Sequence, residues 1–155
     1  MSHDVAFASA TDLAADVRCG DLSPVEVVET SLDRIEERDG DLNAFVHVMD
    51  EEARAAAREA ERAVQRGEDL GPLHGVPVAI KDLTELEGVG LTYGAPPFAD
   101  NVAERDAVVV ERLKAAGAIV IGKTNTPEFG RKPMTTNLLH GTTSNPWDPT
   151  KTGEI

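Results

Sequence analysis

The feature that most limits what this chain can fold into is a pair of short apolar runs. They are 76–80 (Val-Pro-Val-Ala-Ile) and 118–121 (Ala-Ile-Val-Ile), and a loop and one helical pattern separate them. Each run is too short for a helix and too continuously apolar for a half-exposed strand, so both read as buried strands. Asp106 starts a helix with Val109, Leu113 and Ala116 on one face, and Gly117 ends it. Strand, crossover, helix, strand is a βαβ unit, whose two strands lie parallel. Two parallel strands alone are not a stable sheet, because parallel sheets need several strands and cover on both faces. The fold class is therefore α/β, and the chain reads as the start of a larger domain.

What precedes the first strand reads as helical, so the chain divides into a helical part (9–70) and the start of an α/β core (71–155). Ser9 or Thr11 can cap a helix carrying Leu13 and Val17, which Gly20 ends. Ser23 is placed to cap a second helix, with Pro24 at its first position and Glu26 closing a capping box. Val28, Leu32 and Ile35 share one face, and Asp39-Gly40-Asp41 is the expected break. Residues 45–48 (Phe-Val-His-Val) suit a short strand, and Asp50 is the expected cap of an alanine-rich helix running to Arg66. In that helix Arg54, Arg58 and Arg62 recur every four residues, as on a solvated face. Residues 84–102 read as a loop, and 124–155 show only scattered turn signals.

The net charge of −13 leaves no basic footprint for a nucleic acid. Residues 1–70 hold 18 acids against 7 arginines, and the first lysine is Lys81. Such an acidic, lysine-poor surface suits a high-salt cytoplasm, where dense carboxylates keep a protein soluble and salt screens their repulsion. An ordinary acidic cytosolic protein is the alternative. The single cysteine, Cys19, allows no internal disulfide, and neither a secretory signal nor a membrane-length apolar run is present. A soluble, cytoplasmic protein without a membrane partner is expected.

Residues Gly117 to Thr124 match the phosphate-loop pattern G-x-x-x-x-G-K-T, which would suggest a nucleotide-binding module. That loop requires a strand before it and a helix after it. Here a helix precedes Gly117, strand formers fill the middle, and Pro127 follows, so the reading is rejected. Lys81 is the better candidate. It closes the apolar run 76–80, at the carboxyl edge where ligand sites of α/β sheets collect. Local sequence leaves two roles open: a partly desolvated amine able to take a proton, or a strand-end lysine that reaches water or pairs with Asp82.

Four segments in order carry a family resemblance. Gly71-Pro72-Leu73-His74-Gly75-Val76-Pro77-Val78-Ala79-Ile80-Lys81-Asp82-Leu83 resembles the lysine segment of the amidase-signature family. The stretches 106–118, 121–130 (Ile-Gly-Lys-Thr-Asn-Thr-Pro-Glu-Phe-Gly) and 145–149 (Asn-Pro-Trp-Asp-Pro) resemble its next landmarks. The likeness runs from about residue 9 to 150. It implies an amidase-signature fold with a mixed or parallel sheet, and hydrolysis of carboxamide C–N bonds without metal or organic cofactor. It also implies a serine nucleophile, a second serine reached through a cis peptide, and Lys81 as the base. Lys114 is expected to be a solvated helix residue and Lys123 a structural strand-end residue. Residues 126–130 (Thr-Pro-Glu-Phe-Gly) look more like the general amidases than like the amidase-type subunit of the aminoacyl-tRNA amidotransferase, a close variant of the same chemistry. The resemblance implies a small amide as the partner of the completed protein and leaves a homodimer open.

After Pro149 the family continues into a Gly/Ser-rich stretch, whereas this sequence reads Thr150-Lys151-Thr152-Gly153-Glu154-Ile155. Its serines are Ser2, Ser9, Ser23, Ser31 and Ser144, none in a glycine-rich elbow. The expectation is a truncated amidase domain that lacks both serines and does not turn over by itself. A frameshift, a fragment and a split chain are the competing origins, and a non-catalytic remnant is the remaining functional reading.

Overall fold

Helix α1 (Ala10–Cys19) starts at Ser9, whose hydroxyl accepts the Asp12 N–H, and ends at Gly20. Helix α2 (Pro24–Leu42) buries Val27, Val28 and Leu32, and Ile35 is half-buried. Then come β1 (Phe45–Val48), α3 (Asp50–Arg66), β2 (Pro77–Lys81), α4 (Val108–Ala115) and β3 (Ile119–Thr124). The computed structural model describes residues 5–152, so Ser2 lies outside the described residues.

The chain divides into two compact units. One comprises Met1–Arg34, Met49–Val78 and Glu111–Ile121. Its core packs Leu13, Ala14, Val17, Val27 and Val76 together, flanked by Leu22, Val64 and Leu73. Each such Val or Leu contributes about 1.5–3 kcal/mol on burial. Helix α3 buries Ala53, Ala57, Ala60 and Ala63, a stripe at helical spacing that allows close approach. His74 fills the space beside it, with Nε2 at 2.9 Å from the Ala60 carbonyl.

The other unit comprises Ile35–Val48, Ala79–Val110 and Gly122–Ile155. Here β1 runs antiparallel to β3, with His47 opposite Lys123. Strand order is β1-β3-β2. The Ile119 N–H donates to the Val76 carbonyl (2.8 Å) and the Asp82 N–H to the Thr124 carbonyl (2.9 Å). Both strands advance in the same direction between these bonds, so β2 and β3 are parallel, and the sheet is mixed. The βαβ unit is present, with β1 as an added antiparallel strand. Two hairpins follow, β4 (Thr136–Asn137) with β5 (Gly141–Thr142) and β6 (Ser144–Asn145) with β7 (Asp148–Thr152).

Several local expectations are corrected. Asp39-Gly40-Asp41 does not break α2, which runs to Leu42. A helical glycine costs only about 1 kcal/mol, so it lowers stability without forcing an end. The end comes at Asn43, with φ 54°, while the Asp39 carboxylate receives the N–H groups of Ala44 (2.7 Å) and Phe45 (3.1 Å). The capping box at Ser23 is replaced by other bonds. The Ser23 hydroxyl accepts from the Val25 N–H (3.1 Å) and donates to Glu61 (2.6 Å). Met49, not Asp50, is the N-cap of α3, because Asp50 is already helical and pairs with Arg54 at i+4. Arg54 also takes Glu29 at 3.0 Å, so it is tied down rather than solvated. In α4 the buried valine is Val110, with Val109 exposed, a shift of one residue in the apolar face.

Gly117 turns α4 into β3 with φ 88°, and a Cβ there would sit 2.8 Å from the His74 Cα. Gly117→Ala combines left-handed strain with backbone overlap and is expected to cost about 3 kcal/mol. Urea unfolding at constant m-value measures it. The net charge of −13 gives a second expectation. Raising NaCl from low salt to about 1 M shortens the screening length to about 3 Å and relieves self-repulsion. The melting temperature is expected to rise by on the order of 5 °C, as read by circular dichroism.

Candidate functional site

The carboxyl ends of β2 and β3 lie side by side, joined by the Asp82 to Thr124 backbone bond. Lys81 is the last residue of β2, and its side chain is half-buried. Among the described residues no hydrogen bond or ion pair engages its ammonium group. The Asp82 carboxylate, 1% exposed, is committed elsewhere. It accepts the Thr92 N–H (3.1 Å) and the Thr92 hydroxyl, and lies 3.6 Å from Lys123 Nζ. Asp82 is the first residue past β2, and its carboxylate is taken by Thr92 and Lys123 with no contact to Lys81. The sequence-level alternative in which Lys81 pairs with Asp82 therefore fails.

Lys123 is the partner Asp82 takes. Its side chain is 1% exposed, and Nζ donates to the Thr84 carbonyl at 2.7 Å. Burial holds its pKa below the usual lysine value, against the raising effect of Asp82. It is a structural strand residue, as expected. The phosphate-loop reading fails on the same facts, because residues 119–124 are strand, no α-helix follows Thr124 among the described residues, and this lysine is buried.

The network extends outward. Thr92 gives its proton to Asp82, so its oxygen must accept from Gly94 N–H (3.1 Å) and from His140 Nε2 (3.0 Å). That fixes Nε2 of His140 as protonated. Asn137 holds the loop after β3 through Asn125 Oδ1 (2.8 Å) and the Thr126 carbonyl (2.7 Å). Sequence reading missed Thr92, His140 and Asn137. Their contacts span 48 residues for Thr92 and His140, and no local pattern encodes such a pairing. Lys114 is exposed on α4. Of the serines, Ser9 caps α1, Ser23 binds Glu61, Ser31 donates to the Val27 carbonyl, and Ser144 lies in β6.

Among the described residues Lys81 thus presents a half-buried amine without a counter-ion at the carboxyl edge of parallel strands, where ligand sites of such sheets collect. Comparison with known proteins bears on the chemistry. The Amidase family model matches residues 26–153. The chain is 48% identical over 139 residues to an acylamidase of Rhodococcus erythropolis, covering 90% of this chain and 29% of that protein. It is 43% identical over 148 residues to a glutamyl-tRNA(Gln) amidotransferase subunit from Streptomyces coelicolor, covering 96% and 30%. A solved bacterial aryl acylamidase of the amidase-signature enzymes superposes with a TM-score of 0.88 at 32% identity, over 96% of this chain and 31% of that one. The chain thus spans about 30% of the length of these relatives. With the family model matched across most of its length, this chain belongs to the amidase family.

Proposed function

We propose that this chain is the lysine-bearing part of a hydrolase of carboxamide C–N bonds, with Lys81 as its general base. The observation that carries the reading is the Lys81 amine at the β2 end, which has no partner among the described residues and is set apart from an Asp82 that Lys123 and Thr92 occupy. In the proposed mechanism a serine hydroxyl attacks the amide carbonyl carbon. Its proton passes through a second serine to Lys81 Nζ. Backbone N–H groups of a glycine-rich turn stabilise the oxyanion. Lys81 then returns the proton to the leaving amine as the C–N bond breaks, and water hydrolyses the acyl-enzyme along the same relay. Both serines belong to the Gly/Ser-rich stretch that the family carries after the segment matching residues 145–149. The described serines, Ser9, Ser23, Ser31 and Ser144, are capping, paired or in strand, and no serine of the 155 residues sits in a glycine-rich turn, so these residues alone are expected to show no turnover.

The amidotransferase reading uses the same chemistry and ranks second. The higher identity to the acylamidase, 48% against 43%, favours the general amidase, as does the Thr-Pro-Glu-Phe-Gly segment. The test is an in-frame fusion of this chain to the remaining portion of the Rhodococcus erythropolis acylamidase. The fusion is expected to release amine from simple linear amides. A folded fusion without turnover overturns the reading.

A further inference from the structure

We infer that the cavity walled by Leu91, Tyr93 and Val102 binds an apolar ammonium ion, the protonated amine that hydrolysis of a carboxamide releases. The cavity has a volume of about 360 Å³ and lies wholly within the unit that holds Lys81. Sites for small organic molecules span about 300–1,000 Å³, so a single-ring compound suits it. Its wall is held by the chain's own bonds. The Leu91 N–H donates to the Asn101 carbonyl (2.9 Å), and the Asn101 amide donates back to the Leu91 carbonyl (2.8 Å). The Gly88 N–H donates to the Ala103 carbonyl (2.9 Å) and the Ala103 N–H to the Val89 carbonyl (3.0 Å). Segments 88–91 and 101–103 are thereby locked together, and a ligand need not order them.

The lining is apolar on one side and anionic on the other. Val102 is 53% exposed, so apolar surface stays open to a ligand beside the buried Leu91. Tyr93 holds φ at 54°, a strained conformation that persists only where its surroundings enforce it. Its ring is fixed by Phe98 and Phe129, at centroid distances of 5.5 and 5.7 Å. The charged lining groups are Glu85, Glu104 and Arg105. Among the described residues no hydrogen bond or ion pair engages the Glu104 carboxylate, and the Glu85 carboxylate meets Arg105 only at 3.8 Å. The Arg105 side chain is 80% exposed, so this pair is loose and screened. Two carboxylates against one loosely held guanidinium, in a chain of net charge −13, draw in a cation and repel an anion. An ammonium on a ring satisfies both sides: the ring meets Leu91 and Val102, and the charge meets the carboxylates and the Tyr93 ring.

The cavity is anchored to the strand end that carries Lys81. The Tyr93 N–H donates to the Asp82 carbonyl (3.2 Å), and the Thr84 N–H donates to the Lys81 carbonyl (2.9 Å) just before Glu85. Adding water across a carboxamide C–N bond gives a carboxylic acid and an amine. At neutral pH the acid loses its proton and the amine gains one. Of these two products only the ammonium matches the charge of the cavity. The ligand's place in the reaction rests on the hydrolysis proposed above, whereas the cavity and its charge do not.

The test titrates phenethylamine into the 15N-labelled 155-residue chain and follows the backbone amide shifts. Saturable shifts are expected at Leu91, Tyr93, Val102 and Ala103, with a Kd in the millimolar range. Phenethyl alcohol carries the same ring without charge, and hydrocinnamate carries it with the opposite charge. Both should bind about tenfold more weakly. Glu85→Gln should weaken the amine about threefold. Arg105→Ala frees the Glu85 carboxylate and should tighten it, whereas a site for an anion would lose affinity. Binding is read without turnover, so its failure is separate from a failure of Lys81 as the base. The inference is overturned if the shifts do not saturate or fall elsewhere, if phenethyl alcohol binds as well as the amine, or if Arg105→Ala weakens binding.

Discussion

Replacing Lys123 with Met is expected to destabilise the chain by about 3–5 kcal/mol, the cost of removing one partner from a buried ion pair. The substitution preserves length and apolar volume, so little of the loss comes from packing. It comes from the Asp82 carboxylate, which stays buried with the two Thr92 donors and no cation. It also frees the Thr84 carbonyl, which accepts from Lys123 Nζ at 2.7 Å. Domains of this size have about 5–15 kcal/mol in total, so the variant should approach unfolding at room temperature. Urea titration followed by circular dichroism measures the effect. Adding Asp82→Asn removes the stranded charge and should recover a large part of the loss. A single-variant loss below about 1 kcal/mol would show that the pair contributes little net energy.

The same lysine fixes a pH trend. Its pKa is lowered in the native state, chiefly by burial. The native chain therefore releases this proton at lower pH than the unfolded chain does. Between the two titration ranges the unfolded state binds more protons, so this group makes stability rise with pH. Below the native range the burial cost is present in full. The Met variant should lack this contribution on the alkaline side.

The strands and helices were legible where local chemistry decides them. The run 76–80, the pattern before Gly117 and the run 118–121 mark a βαβ unit, and the structure places β2, α4 and β3 there. Helix ends were less legible. Gly40 looks like a breaker but lies inside α2, because a glycine weakens a helix without ending it, whereas Asn43 turns the chain at φ 54°. The one-residue shift in α4 has a similar origin: Val108, Val109 and Val110 are equally apolar, so only packing selects Val110. At the site, Lys81 was visible because an apolar strand leads directly to it. The Asp82, Thr92, His140 and Lys123 network was not, since its members come from β3 and from separate loops.

Lys81→Ala should have the largest effect on activity. Removing the base of a serine relay leaves the nucleophile protonated, and losses in such relays reach about 10⁴-fold or more in kcat. Stability should change little, because no described hydrogen bond or ion pair engages the Lys81 ammonium. Lys114→Ala is the control, since Lys114 is an exposed residue of α4. The decisive measurement is kcat for a linear amide in the fusion with the Rhodococcus erythropolis acylamidase remainder, comparing parent, Lys81→Ala and Lys114→Ala. The account predicts a loss of about 10⁴-fold or more for Lys81→Ala, an unchanged melting temperature, and near-parent turnover for Lys114→Ala. Turnover of Lys81→Ala within about tenfold of the parent would contradict it, because a relay cannot lose its only base at so small a cost.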